Sequence, residues 1–156
     1  MKIRFGTLDD VPDFVELARI FLSQTRYKNY DFNGERLAVN LRAVIEKPND
    51  THCFFIAEDA SGKSVGCLIG CTERHFFSDQ IVASVIHYDM LPEKRMGGGG
   101  LKLLTAFKKW AENRGAHELS VGINSGANLN RMDSFLRKLG FELTGGNYSM
   151  QLKGSV

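Results

Sequence analysis

The stretch Pro92-Glu93-Lys94-Arg95-Met96-Gly97-Gly98-Gly99-Gly100-Leu101-Lys102 decides how the rest of the chain is read. Four consecutive glycines remove Cβ shielding, so the backbone N–H groups can approach a ligand closely. A helix-period pattern starts immediately afterwards, and the first amides of a helix are unbonded and sit at the positive end of its dipole. Together these features make an anion site, with Lys94, Arg95 and Lys102 beside it as cations and a pyrophosphate as a suitable occupant. Taken alone, the glycines would serve equally as a flexible linker or a tight helix entry. A P-loop requires Ser or Thr after its lysine, but Lys102 is followed by Leu103. A dinucleotide fingerprint begun at Gly97 or Gly98 would need its third glycine at Lys102 or Leu103, so neither nucleotide motif fits.

Composition sets the frame around this loop. With 156 residues, 43% of them hydrophobic and 24% charged, the chain has the length and balance of one globular domain, expected over residues 1–156. No apolar run approaches a signal or membrane-spanning segment, so a cytoplasmic location without a membrane partner is expected. A net charge of +2 with dispersed basic residues argues against a nucleic-acid surface. Cys53, Cys67 and Cys71 form no Cys-x-x-Cys pair and fall in apolar, strand-like stretches, which suits core thiols and no metal site.

In chain order, residues 2–6 alternate as a strand, and Thr7-Leu8-Asp9-Asp10 offers capping side chains ahead of Pro12. Val11, Phe14, Val15, Ala18, Phe21 and Leu22 then recur at helical spacing. An aromatic loop over 26–33 leads to a second helix over 34–47, which should stop before Pro48. Three strands, 52–58, 65–73 and 81–91, are separated by turn or loop compositions and predict an antiparallel meander. A third helix over 99–114 ends at Gly115, a strand covers 117–123, and a fourth helix over 129–139 ends at Gly140. Residues 141–144 and 148–152 flank Gly145-Gly146-Asn147 as a closing hairpin. The expected class is α/β (α+β), a mixed, mostly antiparallel sheet of about six to seven strands with about four helices on its faces.

Arg95-Met96-Gly97-Gly98-Gly99-Gly100 resembles the Gln/Arg-x-x-Gly-x-Gly/Ala pyrophosphate loop of the GNAT superfamily of acyl-CoA-dependent N-acyltransferases. Pro92-Glu93-Lys94-Arg95 is similar to that family's Pro-Glu-x-Arg lead-in, and Phe135-Leu136-Arg137-Lys138-Leu139-Gly140-Phe141 to its aromatic-Tyr-x-Lys-Leu-Gly-Phe segment. The order of elements agrees with the family along nearly the whole chain. The resemblance implies acetyl transfer from acetyl-CoA, as cosubstrate, to a primary amine in a ternary complex, with a small-molecule or peptide acceptor. It also accommodates a homodimer. In the same terms, the backbone of Asp89, Met90 and Leu91 holds the pantetheine arm, and Arg95, Met96, Gly97, Gly98, Gly99, Gly100, Leu101 and Lys102 form the donor loop.

The catalytic positions depart from the pattern. Counting back from Arg95, the family's strand glutamate falls on Ser84 and a second frequent position on Ile86, and its tyrosine falls on Leu136. Glu73, His75, His87 and Asp89 are the nearby alternatives for a base, with Glu73 favoured. Strand alternation from Ser84 puts His87 and Asp89 on the opposite face, and a bulge would reverse that. Ser134 and Tyr148 are candidate proton donors. The resemblance places the acceptor groove between the loop near Tyr27 to Phe32, the loop from Arg74 to Gln80 and the last hairpin near Tyr148. The missing glutamate and tyrosine also raise a second reading, an acyl-CoA-binding or interaction protein with little or no turnover.

Overall fold

The structure, a computed structural model, describes residues 1–46 and 51–152 and divides the chain into two compact units, Met1–Gly122 and Ile123–Val156. In the first unit, strands β1 (Lys2–Phe5), β2 (His52–Glu58), β3 (Ser64–Arg74), β4 (Ile81–Met90) and β5 (Glu118–Ser120) lie side by side in chain order. The first four run antiparallel and β5 runs parallel to β4, pairing Val82–Ser84 with Glu118–Ser120. Helices α1 (Val11–Ser23) and α2 (Gly34–Glu46) join β1 to β2. Helix α3 (Gly99–Glu112) makes the crossover that a parallel β4–β5 pair requires.

Helices cover both faces of the sheet, and β2 shows why it is apolar without alternation. Cys53, Phe54, Phe55, Ile56 and Ala57 are all buried, because successive side chains meet different helical layers. On one face Phe14 of α1 packs edge-on against Phe54, with ring centroids 5.0 Å apart. On the other, Phe107 of α3 lies against the backbone at Gly70 of β3. Helix α3 buries Leu103, Leu104, Phe107, Trp110 and Ala111, one stripe at helical spacing, each large member contributing roughly 1.5–3 kcal/mol.

Arg4 pins the entry to α1. Its guanidinium donates to both oxygens of Asp10 at 2.7 Å and to Glu58 at 2.6 Å, tying β1 to the turn before α1 and to the end of β2. Those hydrogen bonds hold the Asp10 carboxyl down at about 2. Cys53 and Cys67 are buried and Cys71 half-buried, as core thiols should be, and burial pushes the Cys53 thiol up to about 12. Among the described residues, no helix is long and apolar enough to cross a membrane and no cluster of metal-ligating side chains occurs.

In the second unit, α4 (Leu129–Lys138) buries Leu136 and closes with Gly140 at φ 92°. Three expectations change. The fifth strand shrinks from 117–123 to Glu118–Ser120. The closing hairpin does not form: residues 141–152 make no ladder among the described residues, and Leu143, Tyr148, Met150 and Leu152 are exposed. Alternation predicts a strand only where an edge supplies hydrogen bonds and a covering layer, so the sheet has five strands rather than six or seven. The expected end of the second helix at Lys47 and Pro48 lies outside the described residues.

Candidate functional site

The glycine loop follows directly from the way β4 hands over to α3. Pro92–Lys94 form a single 3-10 turn after Leu91, closed by the Lys94 amide on the Leu91 carbonyl at 2.8 Å. Gly98 then takes a left-handed conformation, φ 76°, and caps α3 without a side chain. Among the described residues, no backbone hydrogen bond engages the amides of Gly98, Gly99, Gly100 and Leu101, as expected for the first turn of a helix. Gly100 faces the Tyr88 hydroxyl so closely that a Cβ there would come within 2.7 Å of it. Burial raises the Tyr88 phenol far above its usual range, so this neighbour is neutral. Four unpaired N–H groups, three of them on glycines, fit a phosphate-bearing donor.

The three neighbouring cations have intramolecular partners. Arg95 donates to the Met90 carbonyl at 3.1 Å, to the Asp89 carboxylate at 3.2 Å and to Gln24 at 3.4 Å. Lys94 lies 3.6 Å from Asp59, and Lys102 donates to the Met1 carbonyl at 3.0 Å. Arg95 thus fastens the loop to the end of β4, and Lys102, whose partner is a neutral carbonyl, keeps its charge beside the loop.

A bulge in β4 reorganises the strand's faces. Val85 pairs with Gly70 and His87 with Ile69, which leaves Ile86 as an extra residue. Ser84, His87 and Asp89 therefore share a face, the one covered by α1, contrary to simple alternation. Nothing in the residue types marks this bulge; only the register of β3 reveals it. Glu73 lies on the same face one strand away, its carboxylate accepting from Ser84 Oγ at 3.5 Å. Asp89 is engaged by Arg95 and by the Met90 amide. His75 is exposed and stacked on Phe77 at 5.1 Å.

Above the bulge is a cavity of about 590 Å³. Its floor is Ile69, Ile86 and His87, one wall is Phe14, Ala18 and Leu22 of α1, and the opposite wall is the loop carrying Tyr27, Tyr30 and Phe32 together with Leu37 of α2. His87 sits beside Phe14 and Phe21, with centroids 6.4 and 5.8 Å away, and its shielded Nε2 has no hydrogen-bond partner among the described residues. Burial lowers its pKa against a weaker opposing effect from Asp89, so the ring is neutral at pH 7. Of the expected acceptor loops, 27–32 lines this cavity and 74–80 does not. Ser134 and Tyr148, in the second unit, are both exposed, and Leu136 is buried.

A family model described as the acetyltransferase (GNAT) family matches residues 14–141, from the first helix through the Leu139-Gly140-Phe141 landmark. The chain belongs to this family. Similar solved structures include a transcriptional regulator from Bacillus halodurans C-125, with 18% identity, TM-score 0.76, and 97% of this chain and 99% of that one covered. An aminoglycoside acetyltransferase, meta-AAC0020, from an uncultured soil metagenomic sample in complex with sisomicin, matches at 22% identity and TM-score 0.71, covering 97% and 96%. AAC(6')-Iy in complex with a bisubstrate analogue, CoA-S-monomethyl-acetylneamine, matches at 18% identity and TM-score 0.73, covering 98% of each chain. At these identities the likeness shows the fold. No curated protein sequence matches the chain.

Proposed function

We propose that this GNAT protein is an acetyl-CoA-dependent N-acetyltransferase that moves the acetyl group directly to a primary amine in a ternary complex. The observation that carries this reading is the set of four unbonded amides at Gly98–Leu101, opening α3 at the end of a bulged strand whose other side floors a cavity. Acetyl-CoA, when bound, supplies an activated acyl group on a good leaving thiolate. The amides of Gly98 to Leu101 hold its phosphates, and Met96 and Gly97 lead the chain into them, with the Gly97 amide closed on the Lys94 carbonyl. Arg95 keeps the loop on β4, and the backbone of Asp89, Met90 and Leu91 orients the thioester arm. One domain over 1–156 is part of the proposal, and the family match running across both compact units favours it.

An alkylamine has a pKa near roughly 10, so most of it is protonated at neutral pH and must lose a proton before it attacks. Glu73 is the proposed acceptor of that proton, because its carboxylate stands beside Ser84, the position where the family pattern has a glutamate. A departing thiol has a pKa of only about 8.5, so proton donation to it is undemanding; Ser134 and Tyr148 are the proposed donors. We further propose a cytoplasmic location, no nucleic-acid or membrane partner, and a homodimer as the assembly to look for. The substitutions at Ser84 and Leu136 favour one alternative, a CoA-binding protein with little turnover.

Thermal unfolding with acetyl-CoA, CoA and ATP tests the donor site. A ligand at a hundred times its Kd adds about 2.7 kcal/mol, several degrees for a chain of this size. A shift with acetyl-CoA and CoA but not ATP is expected, and thiol release in an amine screen then separates enzyme from binder. The absence of any shift with either CoA species would overturn the reading.

A further inference from the structure

The cavity above Ile86 and His87 has a chemistry of its own. Its walls are aromatic and aliphatic, yet three cations, Arg19, Lys28 and Arg36, line it against a single carboxylate, Asp31. Arg19 lies 4.6 Å over the Phe32 ring and 3.6 Å from Glu16, so part of its charge is answered. Among the described residues, neither Lys28 nor Arg36 has an ion-pair partner. His87 contributes no charge at neutral pH.

The charges are also segregated. The floor on β3 and β4 is apolar apart from the neutral imidazole, while Lys28 comes from the loop and Arg36 from α2. An acceptor whose amine approaches β4 therefore points its other end toward cations. An opposite charge there would be stabilised by charge-assisted hydrogen bonds, and an additional ammonium would meet like charge.

We propose that the acceptor is a primary amine with an apolar or aromatic body and an anionic group, carboxylate or phosphate, rather than a polycation. This rests on the acetyl-transfer reading only in taking the amine as the acceptor. The step forms the new C–N bond, breaks the thioester C–S bond, removes one proton from the amine and delivers one to the sulfur.

The test uses the full chain loaded with CoA and four probes: 4-(aminomethyl)benzoate, 4-(aminomethyl)phenyl phosphate, benzylamine and sisomicin. Titration calorimetry should give at least one anionic probe an affinity about tenfold or more above benzylamine, as a charge-assisted contact implies, with sisomicin weakest. The benzoate and phosphate arms identify which anion is preferred. In the Lys28→Gln, Arg36→Gln double variant, the anionic probes should fall to within about twofold of benzylamine. Benzylamine or sisomicin binding as tightly as both anionic probes, a preference that survives the double variant, or no binding of either anionic probe at millimolar concentration would each overturn the inference. Stabilisation by acetyl-CoA, measured alongside, keeps the two failures apart. Loss of that shift removes the acetyl-transfer reading, whereas a normal shift with no anionic preference removes only the acceptor class.

Discussion

The proposed donor mouth is made of backbone, whereas the cavity on the same bulged strand is made of side chains. Gly98, Gly99, Gly100 and Leu101 offer amides and almost nothing else, and their arrangement depends on residues that are small enough to be absent. The cavity joins Phe14 and Arg19 on α1, Tyr27 to Phe32 on a loop, Arg36 on α2, and Ile86 and His87 on β4. A backbone site tolerates little variation in position and is shared across a family. A side-chain site can be rewritten at any one of those places, which suits the proposed role of distinguishing acceptors.

That difference predicts unequal responses to mutation. Gly100→Val should have the largest effect, since its Cβ meets the Tyr88 hydroxyl and the loop must move. We expect acetyl-CoA affinity to fall about a hundredfold or more while the apo protein loses no more than about 3 kcal/mol, the range for overpacking a well-packed site. Thermal shift and calorimetry read both, and retained donor affinity would break the comparison by showing that the amides are not the site. Arg95→Ala should be milder. It removes the hydrogen bonds to Met90 and Asp89 but leaves the amides in sequence, so a loss of roughly tenfold in donor affinity is expected, with acceptor-probe affinities unchanged.

The smallest effect belongs to the cavity floor. Burial depresses the His87 pKa below its unfolded value of 6.5, so the unfolded chain binds more protons than the folded one in that window. The contribution of His87 to stability is thus fully present above about pH 6.5 and is lost as pH falls toward the depressed folded value. Denaturant unfolding of wild type and His87→Phe between pH 7.5 and 5 should show a shallower acid slope in the variant, by less than about 1.4 kcal/mol per pH unit. Identical slopes would mean that the imidazole is not held neutral against Phe14 and Phe21.

How much of this was legible in the residues follows the same division. The glycine run and its Pro-Glu-x-Arg lead-in were readable because they leave the first amides of a helix without Cβ cover, and the α3 stripe was readable because Leu103, Leu104, Phe107 and Trp110 keep its period. The meander was readable from apolar runs and turn compositions. The Ile86 bulge was not, because one extra residue changes no composition, and it moved His87 and Asp89 to the face that alternation denied them. The closing hairpin was over-read for the converse reason: Leu143, Tyr148 and Met150 have a strand's pattern but join no ladder among the described residues. The charge asymmetry of the cavity was invisible because Arg19, Lys28 and Arg36 become neighbours only after α1 and α2 fold over the sheet.

The burial of the thiols has a practical consequence. Cys53, Cys67 and Cys71 all belong to β2 and β3, in the middle of the sheet, and burial raises the pKa of each. Thiolates are the species that attack disulfide dyes and alkylating agents, so the folded protein should be nearly silent toward them at neutral pH. A chromogenic assay that counts released CoA would then run against a low background. The same reagents, added to protein alone under rising denaturant, would label the buried Cys53 and Cys67 only as the central strands part, giving a clock for opening that needs no introduced probe.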